Sequence, residues 1–114
     1  MALHCENKDG VGLVTFVGSL SAPIVDSVRD QFAAWFERHP GVKQVVVDLG
    51  GVNFMDSLGL GALIAIYKRV AERGGEMRLA RPLPVVKMVL EITRTSRILP
   101  ILATLDEAMT EARG

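Results

Sequence analysis

The 114-residue sequence has one cysteine, two histidines, no surplus of charge and no long hydrophobic run, and each shortage excludes something. Cys5 alone cannot form an internal disulfide, which fits a reducing compartment and makes the cytoplasm the expected location. Thirteen basic and thirteen acidic side chains cancel, so no global field draws in nucleic acid or an anionic membrane surface. Any partner must be recognised by a local patch. The longest apolar stretch falls well short of the roughly 20 residues of a membrane span. The opening MALHCENKDG lacks the basic segment and apolar run of a secretory leader. The expected protein is soluble and unprocessed, with no direct contact to membrane or nucleic acid. His4 and His39 are far apart and sit near no acid or thiol in a catalytic arrangement, and no Cys/His cluster has zinc-like spacing. His39 precedes Pro40-Gly41, where a cation meets a helix C-terminus favourably. Cys5 alternates with apolar neighbours and reads as a small buried hydrophobe.

What is present suffices for one core. At this length, with 49% hydrophobic residues, one domain over residues 1–114 is expected. Strands over Ala2 to Glu6 and Val11 to Val17 flank NKDG, whose Asp9-Gly10 pair signals a hairpin turn. After the loop VGSLSAP, the residues Ile24, Val25, Val28, Phe32, Trp35 and Phe36 recur at helical spacing, with Ser21 as N-cap and Pro40-Gly41 as the stop. KQVVVDLG is a β-branched run suited to a central strand buried on both faces. A helix follows from Ser57 to about Arg73, stopped by Gly74-Gly75. EMRLA reads as a strand, PLPVVKMVLEIT as a helix with Pro82 or Pro84 in its first turn, and RILPILA as an edge strand broken by Pro100. TLDEAMTEARG reads as a short helix capped by Thr104, with Glu107 at capping-box spacing. The order ββαβαβαβα predicts an α/β fold: a mixed, mainly parallel sheet of about five strands with about four helices.

The chemistry concentrates at one junction. In VNFMDSLGLGALIAIY the pair Asp56-Ser57 stands between an apolar strand and a glycine-punctuated helix. Gly59-x-Gly61 lacks the third glycine of a dinucleotide fingerprint and the Gly-Lys-Ser/Thr of a phosphate loop, so both glycines read as letting the helix pack close to the sheet. The nucleophile elbow G-x-S-x-G also fails, because Met55 occupies its first glycine position. Asp56 and Ser57 are both N-cap residues by type. They also stand at the carboxyl end of a central strand, where α/β folds expose their working groups. The two readings are compatible. No enzyme is implied.

These residues resemble a known family. The stretch VVVDLGGVNFMDSLGLGALIAIYKRVAERGGEMRLA is similar to the STAS domain of bacterial anti-sigma factor antagonists. Its signature runs from an apolar strand through Asp-Leu and a short turn to Asp-Ser-Ser/Thr-Gly-Leu-Gly opening a helix. The likeness continues through RPLPVVKMVLEITRTSRILPI, and VGSLSAP resembles the family's Gly-Glu-Leu-Asp segment. The resemblance implies a phosphorylation-controlled partner switch. The unphosphorylated protein binds a GHKL-type anti-sigma factor and serine kinase, which releases its client. Phosphorylation of the serine after the aspartate, here Ser57, prevents binding, and a PP2C-type phosphatase reverses it. The chain itself needs no cofactor; ATP and magnesium would belong to the kinase. The implied partner surface comprises Ser19, Ser21, Met55, Asp56, Ser57, Leu58 and Gly59.

Two departures concern partner choice. Leu58 replaces a common second hydroxyl, leaving Ser57 as the motif's only phosphoacceptor. Ser19 and Ser21 stand where many members have glutamate and aspartate, so this loop carries less negative charge. Both serines read as loop or capping residues. Lys87, Arg94 and Arg97 read as a solvated basic face of the third helix. Trp35 would become an interface candidate only if exposed. An apolar patch around Met55 and Leu58 could support self-association, so the expected state is a monomer or weak dimer. The competing reading within this fold is a constitutive scaffold subunit, or a small-ligand sensor, in a larger regulatory or transport assembly.

Overall fold

Two residues turn the chain at its first reversal. Asp9 and Gly10 take φ of 55° and 89°, the left-handed pair that a two-residue hairpin turn requires and that glycine adopts without steric cost. The Asn7 side-chain oxygen accepts the Gly10 N–H at 2.9 Å. This turn joins β1 (Ala2–Lys8) to β2 (Val11–Leu20), with Lys8 opposite Val11. The computed structural model describes residues 2–114.

Beyond the hairpin the chain alternates helix and strand: α1 (Val25–Glu37), β3 (Gln44–Met55), α2 (Ser57–Glu72), β4 (Glu76–Ala80), α3 (Pro84–Ile92), β5 (Ile101–Leu102) and α4 (Leu105–Arg113). This is the expected ββαβαβαβα order. Spatial order follows sequence order, β1-β2-β3-β4-β5; β1 is antiparallel to β2, and every later pair is parallel. The β-branched run is therefore central. Val45, Val47 and Leu49 pack with α1, α2 and α3, whereas Val46 faces Ala108, Met109 and Ala112 of α4. Alternate residues of β3 enter opposite cores, so the run needs no polar face.

Local reasons account for the boundaries. Pro84 opens α3, where its missing N–H is no loss. Thr104 caps α4 by accepting the Glu107 N–H at 3.1 Å, and its hydroxyl donates to the Glu107 carboxylate at 3.0 Å. His39 sits just past α1, its Nδ1 2.7 Å from the Trp35 carbonyl and its ring stacked on Trp35. Arg73, expected on a polar face, instead caps α1 from the end of α2. Its guanidinium donates to the carbonyls of Phe36, His39 and Val42 at 2.8 to 2.9 Å and lies 3.4 Å over the Phe36 ring. These carbonyls carry the partial negative charge of a helix C-terminus, so one cation meets several acceptors at once.

The structure corrects several expectations. β2 and β3 run on to Leu20 and Met55 through segments read as loops, because Leu20, Val52 and Met55 are buried and irregularities in the pairing absorb the mismatch. Of RILPILA only Ile101 and Leu102 form strand; Thr95–Arg97 is a short 3-10 turn. Ser21 caps nothing with its side chain, and a 3-10 turn over Ala22–Ile24 precedes α1. Trp35 is buried, which removes it from the exposed surface. Gly61 would meet nothing if it carried a Cβ, so only Gly59 seats the helix closely. Cys5 is half-buried against the α1 side of the sheet, and burial pushes its thiol up to about 11.

Candidate functional site

The junction is built by the ends of two parallel strands. β2 ends at Leu20 and β3 at Met55, paired with each other, and the Asp56 N–H donates to the Leu20 carbonyl at 3.3 Å. Asp56 is extended, with φ −101° and ψ −177°, which takes its backbone out of the helix and makes it the N-cap of α2. One carboxylate oxygen accepts the Gly59 N–H at 2.8 Å. The other accepts the Ala22 N–H at 3.1 Å, from the turn that precedes α1. A single side chain thus ties together the two loops at this edge of the sheet.

The electrostatics follow from those bonds. The Gly59 N–H holds the Asp56 carboxyl below its ordinary pKa, helped by the N–H groups of Ala22, Leu58 and Asp56 itself and opposed by partial desolvation. Gly59 also lies close against the end of β2. A Cβ there would overlap the Leu20 carbonyl, so glycine is the residue that lets α2 start directly on the end of β2.

With the cap supplied by Asp56, Ser57 is the first residue of α2 and lies exposed outside the capping network. Leu58 beside it is 56% exposed. Ser19 is exposed, its hydroxyl donating to the Asn53 side-chain oxygen at 3.3 Å, and Ser21 is half-buried. Met55, read as part of an exposed apolar patch, is buried, and Gly59 is buried beneath Leu58 in sequence, so these two shape the junction from below. The exposed apolar groups next to the junction in sequence are Leu58 and Phe54, and Val17 is exposed further back on β2, opposite Gly51. Sequence reading missed Phe54 and Val17 because both lie where strand alternation is broken by the pairing irregularities. Asn53 and the Ala22 N–H were also missed, since both contacts span 34 residues.

A second carboxylate braces the strand below. Asp48 is buried on β3, and Arg81 grips it with Nε and Nη2 at 2.8 and 2.9 Å, while the Gly50 N–H donates to it at 2.9 Å. Burial alone would raise its pKa, but the bonds from Arg81 and Gly50 outweigh it, so the carboxyl lies below its ordinary value. Among the described residues no group of three or more His, Cys, Asp or Glu could hold a metal ion, and no helix is long and apolar enough to cross a membrane. An open groove of about 630 Å³ between α1 and α2 is lined by charges of both signs and includes neither Asp56 nor Ser57.

Comparison with known proteins gives the family of the chain. The family model described as STAS domain matches residues 2–108. The chain is also 32% identical over 111 residues to an anti-sigma F factor antagonist of Paenibacillus polymyxa, covering 97% of this chain and 94% of the relative. It belongs to the STAS-domain family of anti-sigma factor antagonists. Members of this family are regulatory proteins and not enzymes. The crystal structure of an anti-sigma factor antagonist from Mycobacterium paratuberculosis superposes with a TM-score of 0.88 at 25% identity, over 99% of this chain and 94% of that one. The Bacillus cell fate determinant SpoIIAA in its phosphorylated form superposes with a TM-score of 0.73, over 96% of this chain and 98% of that one; at 20% identity the likeness is one of fold. In this STAS domain Asp56 caps α2 and Ser57 beside it is exposed.

Proposed function

We propose that this STAS domain is an anti-sigma factor antagonist whose binding is switched by phosphorylation of Ser57. Unphosphorylated, it binds a GHKL-type anti-sigma factor and serine kinase, which then releases its client; the kinase brings ATP and magnesium. A PP2C-type phosphatase restores the binding form. Ser19, Ser21, Leu58 and the surface around Asp56 contribute to the contact, with Met55 and Gly59 holding its shape from beneath.

The observation that carries this reading is the division of labour at the junction. Asp56 performs the capping that Ser57 could otherwise perform, so the Ser57 hydroxyl stands exposed and free for a kinase. A phosphate there adds about 1.5 to 2 negative charges. A helix N-terminus tolerates an anion, so the fold survives the change. Asp56 already occupies the Gly59 and Ala22 N–H groups, which leaves the phosphate to project outward. At the partner surface the new charge meets a neighbouring carboxylate and an apolar group, Leu58. Repulsion and desolvation of several kcal/mol follow, and each 1.4 kcal/mol or so is a tenfold loss of affinity.

The test is recovery of the protein with its bound partners, mapping of Ser57 by mass spectrometry, and the same recovery with Ser57→Ala and Ser57→Asp. The expected result is a GHKL-type kinase held by the wild type and Ser57→Ala and lost with Ser57→Asp. The same partners in all three samples, with Ser57 unmodified, would instead identify a constitutive scaffold subunit.

A further inference from the structure

The exposed large hydrophobic residues of the described chain fall into two groups. Val17, Phe54 and Leu58 lie on β2, β3 and the start of α2; the other five, Leu83, Val85, Met88, Ile92 and Ile98, lie on α3 and its flanks. Within α3 the exposed members follow helical spacing: Val85 is 51% exposed, Met88 61% and Ile92 74%. The opposite side is buried through Val86 and Leu90. The helix is therefore apolar nearly all round. That pattern belongs to a helix covered on both sides, whereas a half-exposed surface helix carries a polar outer face. One side of α3 has its cover in the sheet core, and the other has none among the described residues.

The charges beside the stripe bear on what could cover it. Lys87 and Glu91 sit on one flank, four residues apart, with lysine first, the weaker order for an ion pair within one helix. Both are exposed, and neither is among the ion-paired residues of the fold. In an antiparallel pair of identical helices each flank meets the same flank of its partner in reverse order. With the twofold axis beside Met88 and Val89, Lys87 of one copy meets Glu91 of the other, and the reverse contact forms by symmetry. Val85 meets Ile92 across the same axis. Arg94 and Arg97 lie beyond the helix end.

We propose that α3 is a self-association surface, and that its occupant is the α3 of a second copy, packed antiparallel with Lys87 against Glu91. The proposal is independent of the role of Ser57. An anionic membrane fits less well, because a nine-residue helix with three nearby cations falls short of the four to eight that mark lipid-binding clusters.

Sedimentation velocity of the wild type from about 10 µM to about 1 mM is expected to show a rising weight-average mass approaching twice the monomer. Met88→Glu, at an exposed position, should keep the fold by circular dichroism and remain monomeric throughout. Lys87→Glu and Glu91→Lys should each weaken association about tenfold, since two attractive pairs become repulsive. An equimolar mixture of these two variants should recover it, because each then meets its opposite. A wild type that stays monomeric overturns the proposal, including one that instead sediments with phosphatidylserine vesicles. A dimer indifferent to Met88→Glu, or a charge-variant mixture no stronger than its components, overturns it equally.

Discussion

Gly59 and Gly61 stand two residues apart on the same helix, and the fold assigns opposite signs to the same substitution. Alanine exceeds glycine in a helix interior by roughly 0.5 to 1 kcal/mol, because glycine loses more backbone freedom on folding. At Gly61 a new Cβ meets nothing within 4 Å, so Gly61→Ala should stabilise by about that amount. At Gly59 the same methyl runs into the Leu20 carbonyl, which is main chain and cannot swing aside like a flexible side chain. Either α2 lifts from the end of β2 or the strand gives way, and overpacking of this kind costs about 1 to 3 kcal/mol or more. Because the overlap is with rigid main chain the upper end of that range applies, so after the propensity gain Gly59→Ala should destabilise by about 2 kcal/mol, leaving the two variants about 3 kcal/mol apart. At about 4 °C per kcal/mol for a chain of this size, that is roughly 12 °C in Tm. Urea titration followed by helical circular dichroism and by the fluorescence of the buried Trp35 measures the difference directly. Equal or greater stability of Gly59→Ala would show that α2 does not rest on the Leu20 carbonyl.

Arg73→Ala should destabilise by about 2 to 3 kcal/mol in urea titrations, because three carbonyls lose a charged donor, and Arg73→Lys should recover less than half of this without the guanidinium fork. A loss below about 0.5 kcal/mol would mean that water replaces the guanidinium at no cost. Stability should also fall in acid, with a sign set by Asp48 and Asp56. Both carboxyls lie below the ordinary value of 3.8 when folded, so the unfolded chain binds more protons. Their contribution is fully present above the unfolded pKa and disappears as pH falls through the folded one. Urea midpoints measured between pH 6 and pH 2.5 should drop less steeply for Asp48→Asn and Asp56→Asn than for the wild type; parallel curves would contradict the bonding described for both groups.

Much of this protein is legible in its residues. Periodicity places four helices and the two long inner strands, since an apolar repeat of 3.6 or an unbroken β-branched run leaves few other ways to bury itself. Asp9-Gly10, Pro84 and Thr104 act through their own backbone chemistry, so their roles are local and readable. The Asp-Ser motif and its position after a central strand are likewise visible in one dimension. Other features depend on contacts between distant parts of the chain. Ser21 has the right chemistry for a cap and makes none, while the turn beside it is held by Asp56, 34 residues away in sequence from Ala22. Arg73 carries a charge that suits a surface, yet the end of α1 lies close enough to take it. Gly59 and Gly61 are the same residue in the same motif, and only the position of the Leu20 carbonyl separates them. Composition and period determine which elements form, because those forces act along the chain. Which cap is used, which glycine is needed and which apolar face stays uncovered are decided by how the elements pack, because hydrogen bonds and steric contact act over a few ångströms between residues the sequence holds far apart.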